Sequence, residues 1–120
     1  MTAAIVWLGV GAAGAVGATA RFLLHARVAR RRGHPLGTLV VNLSGTLTLG
    51  VLVGATLDGD AYRIAATGFL GAYTTFSAWM LESYREVDQR RPFNAWANIV
   101  VSVVTGLVAI ALGRAVGGLF

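Results

Sequence analysis

The chemistry on offer in this sequence is that of neutral hydrogen-bonding groups set among apolar ones. Thr38, Asn42 and Thr46 recur every four residues, and Asn98, Ser102 and Thr105 every three or four, so each set shares one helix face. An asparagine in hydrocarbon is costly unless it is paired or hydrated. Two such stripes make either a narrow hydrogen-bonding pathway or ties between helices worth about 1 kcal/mol each. A third stretch, "GFLGAYTTFSAWM" (Gly68–Met80), adds a different feature. Glycine weakens a helix by about 1 kcal/mol and threonine can bond back to its own backbone, so Gly71–Thr75 is expected to interrupt a helix. Non-helical backbone at membrane depth persists only where something satisfies its carbonyls, as a cation or a water-filled cavity would. Phe76 and Trp79 follow at i, i+3, on one face of the next half-helix. Aromatic rings have positive edges, so edges turned toward a pathway would favour an anion with no buried positive charge. The plain alternative is packing.

Other chemistries are poorly supplied. The five carboxylates, Asp58, Asp60, Glu82, Glu86 and Asp88, all fall at the ends of apolar stretches or between them. A proton-coupled carrier needs a titrating group within the membrane. There is no cysteine, no nucleophile–base pair and no cluster of His and carboxylates with metal-ligand spacing, so no enzyme is expected. His25 and His34 are expected to be solvated at the membrane surface, with no assigned role.

These residues must be positioned by membrane-spanning helices. The chain is 56% hydrophobic and only 12% charged, where a soluble domain carries about a quarter. Met1–Ala20, Gly33–Leu57, Ile64–Leu81 and Pro92–Gly113 hold no charged side chain. A spanning helix needs roughly 17–25 apolar residues. The expectation is a single all-α membrane domain over 1–120, with spans near 3–25, 36–57, 63–84 and 93–117 and the third one broken. The first span has no basic n-region and is not expected to be a cleaved signal. Glycines 9, 11, 14 and 17 in span one, 45 and 50 in span two, and 106 and 113 in span four allow close helix approach, within one chain or against a second subunit.

All ten basic residues are arginine. Arg27, Arg30, Arg31 and Arg32 follow span one, and Arg85, Arg90 and Arg91 follow span three. The other side holds Arg63 and Arg114 with Asp58 and Asp60. Positive residues in short loops stay in the cytoplasm. The first and third loops are therefore expected to be cytoplasmic, with both termini outside the cell membrane. The same rule accounts for the basic run without nucleic acid.

Four motifs then resemble one family, the small fluoride channels of the Fluc/CrcB type. They are "GAVGATARF" (Gly14–Phe22), "GTLVVNLSGTLTLG" (Gly37–Gly50), "GFLGAYTTFS" (Gly68–Ser77) and "NIVVSVVTGLVAIALG" (Asn98–Gly113). Together they cover nearly the whole chain. The resemblance implies an antiparallel, inverted dimer with fluoride pathways along the subunit interface. It implies Phe76 as a pore aromatic, Asn42 and Ser102 as polar pore contacts, Thr75 and Thr38 as further pore-lining residues, and Arg21 near the channel mouth. It also implies a structural sodium ion on the dimer axis, held by the backbone carbonyls of Gly71 and Thr74. The implied task is passive export of cytoplasmic fluoride.

Two features depart from that family's pattern. Trp79 stands where a second phenylalanine is usual; its larger indole either meets the anion through its N–H or obstructs the path. The strong arginine bias favours one insertion orientation, which implies pairing with a paralogous chain of opposite bias. Two other readings are carried. A small multidrug-type exporter also has four spans, but it would need a glutamate in span one, where there is none. A non-conducting partner subunit of a heterodimeric channel fits both departures.

Overall fold

The computed structural model describes residues 2–120 and is helical throughout. Helix α1 (Ala3–Arg32) begins at Thr2, whose hydroxyl accepts the Ile5 N–H at 3.4 Å. It does not stop at the end of its apolar stretch. The "RVARRR" segment, expected as a loop, continues the helix by nearly two turns because arginine and alanine are good helix formers. Only Gly33, at φ 93°, separates α1 from α2 (His34–Gly54), which starts with Pro35 in its first turn. The fourth span is α6 (Pro92–Gly117), again opened by a proline. Helices α1, α2 and α6 are each long and apolar enough to cross a membrane.

The third span is assembled from pieces. A short α3 (Gly59–Tyr62) runs into a π-helical segment, Arg63–Leu70, and then a turn of α4, Gly71–Tyr73. Regular helix stops there and resumes as α5 (Ser77–Asp88). Thr74 is extended, at φ −84° and ψ 158°. The interruption lies at 74–76, at the C-terminal end of the stretch where glycine and threonine weaken the helix.

Helices α2 and α6 run parallel and are in contact through glycine. A Cβ at Gly113 would fall on the Leu47 carbonyl oxygen, and one at Gly54 on that of Arg114. Small residues of this pair therefore pack within the subunit. The α1 helix lies along the first half of span three, where a Cβ at Gly17 would strike the Phe69 carbonyl. The small core between them is Val41, Leu70 and Tyr73, edged by Leu24, Leu49 and Phe69. This leaves much of α6 with its apolar side chains outward, Val104, Leu107 and Val108 among them.

Candidate functional site: a groove at the broken span

Where the third span breaks, its backbone loses helical partners, and the neighbouring side chains replace them. In a helix the Gly71 carbonyl would receive the Thr75 N–H. Here that N–H donates to Asn42 Oδ1 at 2.8 Å, while Asn42 Nδ2 donates to the Thr75 carbonyl at 2.9 Å. The Thr74 carbonyl would receive the Ala78 N–H, which instead turns to Thr75 Oγ1 at 3.3 Å. The Thr74 hydroxyl bonds back to the Leu70 carbonyl at 3.0 Å. Tyr73 is tied to α2 by a 2.8 Å hydrogen bond between its hydroxyl and Ser44 Oγ. Asparagine is well suited to this place, since its amide offers a donor and an acceptor to one peptide unit.

The break borders a groove of about 540 Å³ between α2, the third span and α6. Asn42, Gly71, Thr74, Thr75, Phe76, Trp79 and Ser102 all line it, so residues far apart in sequence meet on one surface. Phe76 is 69% exposed, and its ring meets the Trp79 indole edge-on, with centroids 5.7 Å apart. The indole N–H is engaged: it donates to the Asn98 carbonyl at 3.2 Å. Thr38 and Arg21 do not line the groove. Thr38 is 1% exposed and donates to Glu82 Oε1 at 2.6 Å. Arg21 is half-buried on α1 and makes no ion pair among the described residues.

The match to known proteins decides the family. Residues 8–114 fit the family described as CrcB-like protein, Camphor Resistance (CrcB). The chain belongs to the CrcB-like family. A protein of Mycolicibacterium paratuberculosis named Fluoride-specific ion channel FluC 2 is 53% identical over 116 residues, covering 95% of both chains. One of the same name from Mycobacterium bovis is 53% identical over 111 residues, covering 91% of this chain and 88% of its own. Fluoride-specific ion channel FluC 1 of Symbiobacterium thermophilum is 39% identical over 119 residues, covering 92% of this chain and 96% of its own.

In this CrcB-like chain the polar stripe of α6 continues beyond the groove. A second hollow of about 350 Å³ shares Ser102 with the first and is bordered by Asn98, Asn94 and Glu86. Asn98 Nδ2 donates to Ser83 Oγ at 2.9 Å, and Ser83 in turn donates to the Trp79 carbonyl. Arg91 Nε pairs with Glu86 at 2.8 Å at the outer end. The stripe thus joins the break to the arginine-rich end.

Sequence reasoning missed the surroundings of Glu82. Its side chain is buried at 7% exposure, and His25 Nε2 lies 3.8 Å from Oε1. Neither His25 Nε2 nor Glu82 Oε2 has a hydrogen-bond partner among the described residues. His25 also stacks on His34, centroids 5.3 Å apart, rather than standing free at the surface. A partial signal was available in spacing: within α5, Trp79 and Glu82 fall at i and i+3, on one face of the helix.

Proposed function

We propose that this CrcB-like chain is a subunit of a fluoride-selective channel that releases cytoplasmic fluoride passively. The observation that carries the reading is the convergence of Asn42, Thr75, Phe76 and Ser102 on one groove at the helix break, in a chain 53% identical to proteins named fluoride-specific ion channels. Fluoride is small and strongly hydrated. A path for it must replace water with hydrogen-bond donors, here the Ser102 and Thr75 hydroxyls and the Asn42 amide, and with the positive edge of a ring such as Phe76. Larger halides are rejected by width. An inside-negative membrane drives the anion out by about 2.3 kcal/mol per 100 mV.

The groove requires a cover. Its polar groups would otherwise face hydrocarbon, where unsatisfied ones are costly. A second subunit in inverted orientation provides that cover, with Phe76 and the apolar face of α6 against it. The arginine distribution supports one orientation for this chain, with the arginine-rich end in the cytoplasm. Its inverted partner is then a related chain of opposite bias.

The residues also suit a structural sodium ion. Gly71 and Thr74 border the groove, and their carbonyls have lost their helical donors to Asn42 and Thr75. A hard monovalent cation takes such backbone oxygens. When bound it would offset the carbonyl dipoles and hold the break in shape. The protein's own part is the Asn42 clamp on Thr75.

Trp79 favours a second reading, a subunit that completes a channel without conducting along its own face. Its indole lines the groove with Phe76 and Ser102, and its N–H is already engaged. Fluoride efflux from liposomes, followed with a fluoride electrode, tests both. Efflux with chloride retained from the chain alone establishes a conducting homodimer. Efflux that requires a co-reconstituted inverted homologue establishes the mixed channel. No efflux in either preparation, from folded protein, overturns the proposal.

A further inference from the structure

We propose that the arginine-rich end of the subunit is a binding surface for the phosphate headgroups of anionic phospholipids. Helix α1 passes through the apolar layer and continues as helix beyond it. Arg27 stands about 9 Å, and Arg31 about 15 Å, further along the axis than Arg21. These are depths at which headgroups lie beyond the hydrocarbon edge. Arg27, Arg30 and Arg31 fall at i, i+3 and i+4, so their guanidinium groups emerge from one side of α1, and all three are exposed.

The same end receives the α5–α6 connection, because the second hollow places Pro35, at the start of α2, beside Glu86 and Asn94. That connection adds Arg85, Arg90 and Arg91, all exposed. Against these arginines stand three carboxylates. Glu82 is buried on Thr38, Glu86 is paired with Arg91, and only Asp88 is an exposed acid. None of Arg27, Arg30, Arg31, Arg32, Arg85 or Arg90 makes an ion pair among the described residues. The end is therefore a surface of cations in want of counterions.

An independent feature commits this surface to lipid rather than to a soluble anion. Large aromatic side chains ring the same end and are exposed: Phe22 at 71%, Tyr84 at 65%, Phe93 at 82% and Trp96 at 66%. Aromatics with this placement mark the interface between hydrocarbon and headgroup. Arginine just above such a belt meets a phosphodiester at its own depth, and its planar fork takes two phosphate oxygens at once. A free phosphate in solution would have no reason to require the aromatics.

The test is lipid contact, and so does not depend on fluoride flux. The purified chain is reconstituted in phosphatidylcholine with a trace of spin-labelled phosphatidylglycerol or spin-labelled phosphatidylcholine. The fraction immobilised against protein is read by electron spin resonance. The expected result is at least about a fivefold preference for phosphatidylglycerol, one arginine's attraction to an anionic surface. R27Q/R30Q/R31Q is expected to reduce that preference, with Arg32, Arg85 and Arg90 still present, while R27K/R30K/R31K retains it; an unreduced preference in the glutamine variant also overturns the proposal. Salt at 1 M, where screening falls to about 3 Å, is expected to weaken it in the unmodified protein, a check that needs no variant. Equal contact with both lipids overturns the proposal, as does displacement of the labelled lipid by millimolar inorganic phosphate.

Discussion

Asn42 of α2 holds both backbone polar groups of Thr75: Oδ1 accepts its N–H at 2.8 Å and Nδ2 donates to its carbonyl at 2.9 Å. This side chain replaces helical partners lost next to Thr74, where the third span is extended. Asn42→Ala leaves a part-buried N–H and C=O unpaired, at about 1–3 kcal/mol each. The expected loss is about 2–6 kcal/mol, with fluoride efflux abolished. Asn42→Asp keeps an acceptor for the Thr75 N–H but turns a second, charged oxygen on the Thr75 carbonyl, so its loss is expected to be at least as large. Denaturant unfolding in detergent measures both. Equal stability of all three proteins would show that the break does not depend on the clamp.

Close packing of α2 on α6 depends on Gly113, where a Cβ would fall on the Leu47 carbonyl oxygen. Gly113→Val forces the two helices apart, an overpacking cost of typically about 1–3 kcal/mol or more. Gly11 on α1 has nothing within 4 Å of its Cβ position. Gly11→Ala is expected to keep stability or gain up to about 1 kcal/mol from helix propensity. Thermal unfolding of the pair separates a packing requirement from a general preference for glycine.

How much of this was legible beforehand follows from the type of signal each residue carries. Charge-free stretches marked the long apolar helices, since length and hydropathy are one-dimensional properties. The weak helix at Gly71–Thr75 was legible because glycine and threonine act locally. The end of α1 was not, because a run of arginine after an apolar span reads equally as loop or as helix until neighbours are known. Asn42 was recognised as a polar group needing a partner, yet its partner, the Thr75 backbone, has no side-chain signature. His25 was misjudged, and the burial of Glu82 missed, for a related reason. Position near a span end suggests exposure, whereas Thr38 and the His25 ring close over Glu82 only once α1, α2 and α5 meet. Small residues pointed to close approach without saying against what; the α2–α6 pairing answers that within the subunit.

Trp79 lines the groove, and its indole is anchored by the 3.2 Å bond to the Asn98 carbonyl. Trp79→Phe keeps a ring against Phe76 and removes both the bulk and that bond. The variant is expected to remain folded, losing about 0.5–1.5 kcal/mol for the hydrogen bond, and to pass fluoride severalfold faster than the unmodified subunit under the same conditions. Electrode-monitored efflux from liposomes of equal protein content checks this. An unchanged rate would place the indole outside the path.

The 2.6 Å bond from Thr38 Oγ1 to Glu82 Oε1 joins two residues with almost no solvent access. Thr38→Val withdraws the only hydrogen-bond donor to that carboxyl group among the described residues, and Glu82→Gln replaces the group by an amide. If the pair acts as one unit, the double variant loses much less than the sum of the singles. The coupling expected from a double-mutant cycle is about 1–3 kcal/mol, the range from a neutral to a charge-assisted hydrogen bond. A coupling below about 0.5 kcal/mol would mean that the residues contribute independently. Carrying the same four proteins through the efflux assay asks a separate question, because Thr38 lies outside the groove. Strong stability coupling with unchanged flux would make the pair structural. Loss of flux at intact stability would extend the pathway past Trp79 toward the arginine-rich end, along the face of α5 that Trp79 and Glu82 share.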